Sequence, residues 1–396
     1  MSSIKSLEEM NPQGKRILVR VDFNTPIADG KVSDDTRIRA AIPTLQYLID
    51  HGGRLIIMSH RGRPQGTGYE EEFSLKPVAE RLSELIDAPV YFSSDIVGED
   101  AHKKAANLKD GEVLVLENLR FDAREKKNDP EFCKALASLA DIYVNDAFGT
   151  AHRAHASTTG VAKLLPAYAG YLILKEVSTI SGMLENPDRP FVAILGGSKV
   201  SDKIKVIDAL LDKCDTLIIG GAMSFTFLVA RGYEVGTSLV EQDWVDRAQA
   251  MLDKAEDKGV NLLLPVDQVC ASEFSEDSII TTVDIERIPS RMMGLDIGPK
   301  TAGLYAEAIA AARTVFWNGP MGVFEMESFS AGTKAVACAV ADNTHATTII
   351  GGGDSVAAVN KFGLADSMTF ISTGGGASME LVQGEKLPGL EALKSE

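Results

Sequence analysis

The chain of 396 residues is long enough for two domains of ordinary size, and 45% of its residues are hydrophobic and 24% are charged. Its formal net charge of −16 argues against nucleic acid as the main partner, and no apolar run approaches the roughly 18 residues of a membrane span. The four cysteines lie too far apart for a metal site or a disulfide framework, so we expect buried free thiols.

Short apolar runs alternate with longer helical patterns, which is typical of parallel α/β architecture. The runs of the first half are RILVRVDF, RLIIMS, PVYF, VLVLEN and DIYVND, and those of the second half are FVAILG, TLIIGG, NLLLPVD, TVFWNG, TTIIGGG and TFISTGGG. Between the halves, LLPAYAGYLILKEVSTISGMLENPDRP predicts one long helix that ends near Pro187. Ligands of such sheets bind beyond the carboxyl ends of the strands, so the residues after each run are the informative ones.

The residues after the first-half strands are polar and mostly basic: Asp22, Asn24, His60, Arg61, Arg63, Arg120, Arg124, His152, Arg153 and His155, with Arg37 at the start of the next helix. The first 170 residues contain 11 of the 17 arginines. Arginines from different strand ends, such as Arg63, Arg120 and Arg153, can converge on one phosphate in forked geometry. The first half therefore predicts a site for a small anion, with a surface ion pair as the alternative for any single arginine.

The second-half strands are followed by glycine-rich turns, in GGSK, GGAM, NGPMG, GGGDS and TGGGAS. Such turns can cradle phosphates with amide N–H groups and a helix dipole, although tight packing turns also use glycine. The fingerprints G-x-x-x-x-G-K-[ST] and, after a strand, G-x-G-x-x-G are absent. Their absence disfavours a P-loop enzyme and a standard dinucleotide-binding dehydrogenase.

Two lysines stand in an unfavourable place in the segment FVAILGGSKVSDKI, residues 191–204. Ser198 is predicted to open a helix, which puts Lys199 and Lys203 four residues apart in its first turns. Like charges at that spacing repel each other, and cations at a helix N-terminus oppose the backbone dipole. We interpret the two lysines as ligands for phosphate groups, whose negative charge would offset the repulsion.

Taken together, the motifs resemble those of the phosphoglycerate kinase family, in its order and spacing and over essentially the full length. They are RVDFNTP, SHRGRP, ENLRF, NDAFGTAHRAHAS, GGSKVSDKI, GGAMSFTFL, GLDIGP, WNGPMGVFE, GGGDS and STGGGASMELVQGEKLPG. Thr25, Arg61 and Ser198 depart from the residues that the family often has. Of these, Arg61 would add positive charge beside the anion site.

The resemblance implies two doubly wound, Rossmann-like parallel-sheet domains that face each other across a cleft. Residues 1–168 would bind 3-phosphoglycerate, residues 169–185 would form a hinge helix, and residues 186–372 would bind Mg-nucleotide. A tail, residues 373–396, would return to the first domain. The implied reaction is reversible Mg²⁺-dependent phosphoryl transfer between ATP and the carboxylate of 3-phosphoglycerate. A cytoplasmic monomer is expected, since MSSIKSLEEMNPQGKR lacks an apolar signal core and no interface stripe is evident.

The site residues that the resemblance implies fall into three groups. The phosphoglycerate site comprises Asp22, Phe23, Asn24, Arg37, His60, Arg61, Gly62, Arg63, Arg120 and Arg153. The nucleotide site comprises Gly197, Ser198, Lys199, Lys203, Gly221, Gly294, Asn318, Glu325, Gly352, Gly353, Asp354 and Ser355, with Glu325 at the ribose and Asp354 at Mg²⁺. The catalytic group comprises Arg37, Lys199, Lys203, Gly353 and Gly376.

These residue types suit phosphoryl transfer to a carboxylate. The acceptor is already ionised at neutral pH, so no general base is required, and the reaction needs alignment and charge neutralisation instead. Without the resemblance, His60 and His152 would each be interpreted as a packed or capping histidine, and Asp354 as a helix N-cap. Two rival classes remain: a non-catalytic anion-binding protein, which leaves the lysines and glycine turns unexplained, and a nicotinamide-dependent dehydrogenase, which lacks its fingerprint.

Overall fold

The computed structural model describes residues 4–394, and these form two compact units. Unit 1 runs to Thr179 and resumes at Lys386, and unit 2 is Ile180–Glu385. The segment that returns to unit 1 is shorter than the predicted tail of residues 373–396, because residues 373–385 belong to unit 2. The reason is a helix at Gly376–Val382 that packs on the helix Ile204–Leu211 of unit 2.

The strands and helices are numbered in chain order. Up to residue 185 they are β1 (Arg16–Arg20), β2 (Ile27–Ala28), β3 (Lys31–Val32), α1 (Thr36–Asp50), β4 (Arg54–Met58), α2 (Lys76–Leu85), β5 (Val90–Phe92), α3 (Glu99–Asn107), β6 (Val113–Val115), α4 (Pro130–Ala137), β7 (Ile142–Asn145), β8 (Ala167–Ala169) and α5 (Tyr171–Glu185). Then come β9 (Phe191–Leu195), α6 (Ile204–Leu211), β10 (Thr216–Ile219), α7 (Met223–Ala230), α8 (Val245–Lys258), β11 (Asn261–Leu263), β12 (Asp267–Ala271), β13 (Ile280–Asp284), β14 (Met293–Ile297), α9 (Pro299–Ala310), β15 (Thr314–Asn318), α10 (Ala331–Asp342), β16 (Thr347–Gly351), α11 (Gly353–Lys361), β17 (Phe370–Ile371), α12 (Gly376–Val382) and α13 (Pro388–Glu391).

Unit 1 is built on a six-stranded parallel sheet with the order β5-β6-β4-β1-β7-β8. The central strands are buried on both faces, as parallel sheets require when helices cover them. Neighbouring side chains of β1 show this, since Ile17 and Leu18 point to opposite faces and both have no exposed surface. The strand order reverses beside β1, where β4 lies on one side and β7 on the other.

Unit 2 repeats this plan with the order β11-β10-β9-β15-β16-β17, again parallel throughout. Its first strand, β9, is central, and the order reverses between β9 and β15. Trp317 of β15 is fully buried in the core that the helices close over this sheet. The predicted α/β, Rossmann-like fold class is confirmed for both units.

Three local expectations need correction. The run NLLLPVD is two strands rather than one: β11 ends before Pro265, which cannot donate to a sheet, and β12 is the central strand of a small antiparallel sheet, β13-β12-β14. The segment before α5 contains β8, which extends the edge of the first sheet. Of the four free cysteines, Cys338 is only half-buried.

The long helix between the halves is present as α5. Its N-terminus is fixed to unit 1 by Asp146, which follows β7 and accepts the N–H of Leu172 at 2.9 Å. Burial raises the pKa of Asp146 to about 7, although hydrogen bonds from Thr44 and the first α5 amides act the other way. Among residues 4–394, no helix combines the length and apolarity needed to cross a membrane.

Candidate functional site

In unit 1, an ion pair and a histidine meet beyond the carboxyl ends of β1 and β4. The guanidinium of Arg37 donates to one carboxylate oxygen of Asp22. The other oxygen, Oδ1, lies 3.8 Å from Nδ1 of His60 and is buried without a hydrogen-bond partner among the described residues. Asp22, Arg37 and His60 are thus brought together as the sequence predicted.

His60 is held as a neutral ring. Its side chain is buried, and the Nη2 atom of Arg20 lies 3.1 Å from its Nδ1. Because a guanidinium can only donate, Nδ1 is the acceptor and the ring proton resides on Nε2. The pKa of His60 lies well below its ordinary value because of burial and then because of the surrounding charges of Arg20, Arg120, Arg37 and Arg153.

Arg20 was missed in the sequence, although a charged residue within the apolar run RILVRVDF is a visible signal. Its guanidinium is almost completely buried and donates from Nε to the hydroxyl of Ser157 at 2.8 Å. That hydroxyl in turn donates to the buried carboxylate of Glu125 at 2.6 Å. Arg20 is therefore balanced through Ser157 by a buried acid, which lets a cation remain beneath the site.

Arg120 and Asn24 both hold Gly62. The Nη1 atom of Arg120 donates to the carbonyl of Gly62 at 2.7 Å, and the Asn24 side chain accepts the Gly62 N–H at 2.8 Å. The pKa of Arg120 is lowered to about 10, first by burial and then by the charges of Arg153 and Arg20. Several cations crowded at one sheet end are a repulsive arrangement that a bound anion relieves.

The other predicted residues of unit 1 differ in their surroundings. Arg61 turns its guanidinium onto the main-chain carbonyls of Thr25, Glu72 and Ser74 and is engaged in holding that loop. Phe23 is a core residue whose N–H donates to Ser59. Three further arginines behave differently from one another. Arg63 is exposed and without a hydrogen bond or ion pair within residues 4–394, Arg153 donates to His152 at 3.1 Å, and Arg124 forms a surface ion pair with Asp122.

In unit 2, a cavity of about 340 Å³ opens where the strand order reverses between β9 and β15. This is where open α/β sheets bind ligands. Its walls are Gly196, Gly197, Ser198, Lys199, Asp202, Lys203, Asn318, Gly319, Gly352, Gly353, Asp354, Ser355, Gly375, Gly376 and Met379. Most of the predicted nucleotide and catalytic residues of this unit are therefore brought together.

Three predicted residues do not line this cavity. A side chain at Gly221 would collide with the backbone of Gly197, and the N–H of Gly221 donates to the carbonyl of Met321. A side chain at Gly294 would strike the ring of Phe225. Glu325 is exposed. The two glycines have packing reasons of their own, and a ligand role for all three stays a prediction.

The loop that carries the lysines is not helical, contrary to prediction. Helix α6 begins at Ile204, so Lys203 occupies its N-cap position and Lys199 lies in the preceding irregular segment. In this segment the N–H and the hydroxyl of Ser201 bond the side chain of Glu241, and Val200 is buried. Burial lowers the pKa of Lys203, while Asp354 and Asp202 act in the opposite direction. Among the residues that the structure describes, the ammonium group of neither lysine forms a hydrogen bond or an ion pair.

The glycine turns serve two purposes. The amides of Gly196 and Gly197 donate to the carbonyls of Asn318 and Pro320, and the amide of Gly319 donates to the buried Ser355 hydroxyl at 2.6 Å. These turns are packed backbone against backbone. By contrast, the amides of Gly353 and Gly376, which begin α11 and α12, find no acceptor in the described part of the chain. Unpaired N–H groups at helix starts suit phosphate oxygens.

The surroundings of Asp354 are compatible with a magnesium ligand. It is an exposed carboxylate in the first turn of α11, and it makes no ion pair there. No group of three or more His, Cys, Asp or Glu residues among residues 4–394 could hold a metal alone. One carboxylate beside a phosphate cavity nevertheless fits Mg²⁺, because this ion commonly binds one or two carboxylates together with substrate phosphates.

The fold and the two regions define an α/β protein with a cavity lined by lysines and glycine-rich turns in one unit and a cluster of cationic side chains in the other. The family model for phosphoglycerate kinase matches residues 7–385. Phosphoglycerate kinases from Clostridium botulinum and Clostridium perfringens are 56% and 57% identical over 392 residues, with 98% of this chain and 98% of each relative covered.

Solved structures agree with the sequence relatives. A phosphoglycerate kinase from Coxiella burnetii has a TM-score of 0.89 at 46% identity, and 99% of each chain is covered. One from Pyrococcus horikoshii has a TM-score of 0.84 at 37% identity, and 98% of each chain is covered. The chain belongs to the phosphoglycerate kinase family. It is accordingly an enzyme of the kinase class, and the activity of that family is ATP:3-phosphoglycerate 1-phosphotransferase.

Proposed function

We propose that this chain catalyses reversible phosphoryl transfer between ATP and the carboxylate of 3-phosphoglycerate, giving ADP and 1,3-bisphosphoglycerate, in glycolysis and gluconeogenesis. The observation that carries the proposal is the division of chemistry within one chain. Unit 1 gathers several arginine side chains around His60, and unit 2 has a cavity lined by lysines and glycine-rich turns. Family membership supplies the identity of the two substrates.

In unit 1, 3-phosphoglycerate is bound by groups that stay cationic or donate hydrogen bonds. Arg63, Arg120 and Arg153 offer forked donors to its phosphate. Neutral His60 donates a hydrogen bond from Nε2–H to the substrate, and the positive charge of Arg37 stabilises the transferring phosphoryl group. Asn24, Gly62 and Arg61 hold the surrounding loops, as their contacts with the main chain indicate.

In unit 2, Lys203 and the amides at the start of α11 bind nucleotide phosphates, and Lys199 follows the transferring phosphoryl group. Asp354 would hold Mg²⁺ with the phosphates, and the ion would supply charge neutralisation there. Asn318 and Ser355 brace the turns, because they bond Gly351 and Gly319 respectively. Glu325, Gly221 and Gly294 are proposed for the nucleoside end on family grounds alone.

The chemical step is direct and in line. The carboxylate of 3-phosphoglycerate is already ionised, so it attacks without a general base. Bond formation needs the reacting atoms about 3–3.5 Å apart. The two substrates are bound by different units, so we propose that the units close over them and exclude water, with α5 as the hinge.

The activity is tested by following ADP release from ATP with the purified chain. We expect ADP release to depend on both Mg²⁺ and 3-phosphoglycerate. ATP turnover that ignores 3-phosphoglycerate would contradict the proposal. Small-angle scattering tests closure: the radius of gyration should fall when both substrates are present, and an unchanged value with both sites saturated would count against it.

The remaining features follow from family membership. We propose a cytoplasmic monomer whose partners are its small-molecule substrates, with neither nucleic acid nor membrane among them. Light scattering coupled to size-exclusion chromatography tests the monomer, and a mass near twice that of one chain would contradict it.

A further inference from the structure

The irregular segment that carries Lys199 is fixed by one acidic side chain outside the cavity. The N–H of Ser201 donates to Oε2 of Glu241 at 2.9 Å, and the Ser201 hydroxyl donates to Oε1 at 2.5 Å. One carboxylate therefore fixes both the main chain and the side chain of a residue two positions after Lys199. No other side chain in the described part of the chain hydrogen-bonds to residues 198–203.

Glu241 is itself anchored to the core of unit 2. Its N–H donates to the hydroxyl of Thr226 at 3.2 Å, and Thr226 is buried in α7. Glu241 also precedes the short helical turn Gln242–Trp244 that leads into α8. Glu241 thereby connects the segment that carries Lys199 to α7 and α8, which pack on each other.

The charge of Glu241 is consistent with this contact. Burial acts to raise its pKa, but hydrogen bonds from Ser201 and the N–H of Val200, together with the charge of Lys199, outweigh burial and lower the pKa below its ordinary value. The group is therefore an ionised carboxylate at neutral pH, and a carboxylate offers only acceptors. That is what the donors from Ser201 and Val200 require.

We propose that Glu241 is a positioning residue for phosphoryl transfer: through Ser201 it fixes the segment that places Lys199 at the transferring group. This inference rests on the proposed function. Glu241 does not line the cavity, and it was not among the residues that the family resemblance implied. A displacement of about 1 Å of a group that must be aligned can cost about 10²-fold in rate.

The experiment compares steady-state kinetics and ATP binding by calorimetry for Glu241→Ala, Glu241→Gln and Glu241→Asp. Glu256→Ala is the matched control, because Glu256 is an exposed glutamate of the same unit without an ion pair. We expect Glu241→Ala to lower kcat by about 10- to 100-fold with a much smaller change in ATP affinity and in KM for 3-phosphoglycerate. Glu241→Gln should restore most of the rate, because its carbonyl accepts the Ser201 N–H and its amide can donate to the hydroxyl.

A folded Glu241→Ala protein with kcat like that of the Glu256→Ala control would overturn the proposal. A Glu241→Gln protein as slow as Glu241→Ala would also overturn it, because restoring the hydrogen bonds to Ser201 would then not restore the rate. If Glu241→Ala fails to fold, Glu241→Asp decides, since it keeps the charge but shortens the side chain that reaches both donors of Ser201: a slower kcat supports the proposal and an unchanged kcat overturns it.

Hydrogen exchange separates this inference from the proposed function. Amides of residues 198–203 should exchange faster in Glu241→Ala than in the parent chain, whether or not the chain turns over ATP and 3-phosphoglycerate. Faster exchange in a chain inactive with these substrates would refute the proposed function and leave the anchoring role standing. Unchanged exchange would refute the anchoring role itself.

Discussion

The cations of unit 1 are arranged so that one ring among them stays neutral. Arg20 donates to Nδ1 of His60, and Glu125 balances Arg20 through Ser157. Protonating the ring would place another positive charge among several, in a buried place where solvation is poor. The ring is therefore available to the proposed substrate as a hydrogen-bond donor and adds no further charge to the cluster.

This arrangement predicts the titration of His60. Burial and the neighbouring arginines hold its pKa well below the ordinary value of 6.5, so the ring should stay neutral between pH 6 and 8. Nitrogen NMR should show one tautomer, with the proton on Nε2, throughout that range. A His60 signal that shifts with a midpoint near 6.5 would contradict the arrangement.

The two lysines of unit 2 are predicted to separate binding from chemistry. Lys199→Ala should lower kcat by roughly 10²–10³-fold with little change in nucleotide affinity, because a donor that acts mostly in the transition state appears in kcat. Lys203→Ala should weaken nucleotide binding more, since Lys203 is half-buried at the N-cap of α6. Steady-state kinetics with both substrates varied distinguishes the two. A Lys199→Ala enzyme with nearly unchanged kcat would refute its catalytic role.

Residue types and strand ends were enough to predict most of the groups that gather in each unit. Arg20 and Glu241 were not predictable in the same way. Arg20 meets Ser157 across 137 positions, and Glu241 meets Ser201 across 40. Which buried donor finds which distant acceptor is decided by packing, and local pattern carries no information about it.

At the scale of elements, the glycine turns of unit 2 have a packing role that is independent of their proposed ligand role. Gly319 follows β15 with φ of +98°, and a Cβ there would lie 2.2 Å from the carbonyl oxygen of Gly196. Backbone cannot give way as a flexible side chain can. The close approach of the two turns therefore keeps the cavity floor formed by β9 and β15 in place.

Gly319→Ala should destabilise unit 2 by about 2–4 kcal/mol, from backbone strain together with the close contact. Gly303 is the matched control: it lies exposed within α9 with open space around its Cα, so Gly303→Ala should stabilise by about 0.5–1 kcal/mol. Both tryptophans, Trp244 and Trp317, belong to unit 2, so denaturant unfolding followed by tryptophan fluorescence reports this unit. Equal stability of Gly319→Ala and the parent chain would contradict this account.

Element prediction succeeded where a long apolar period or a run between turns was present, as for α5 and the central strands. It failed where a local pattern met a packing constraint. The apolar period from Ser198 onward predicts a helix, yet the N–H and the hydroxyl of Ser201 bond the distant Glu241 and the helix begins only at Ile204. The three residues of β8 are too short a run to stand out from the apolar segment that surrounds them.

At the scale of the whole molecule, the two candidate regions belong to separate units, so their binding functions should be separable. Asp354→Asn should weaken Mg-nucleotide binding and leave 3-phosphoglycerate binding nearly intact, because it removes a negative charge that Mg²⁺ needs. Arg63→Ala should do the opposite. Calorimetric titration of each variant with each ligand measures this. Equal loss of both ligands from either folded variant would refute the assignment.

The chain leaves unit 1 at Thr179 and re-enters it at Lys386. In the re-entering segment, the carbonyl of Leu393 accepts the N–H of Lys5, and Lys394 forms a β-bridge with Ile4. On the ribosome, all of unit 2 is therefore made before the segment that completes unit 1. At roughly 5–20 residues per second, the roughly 200 intervening residues impose a delay of roughly 10–40 s. Through that interval Ile4 and Lys5 lack their partners Lys394 and Leu393, although all six strands of the first sheet have been made. Unit 2 is translated in full before these partners appear, so it can fold before unit 1 is complete.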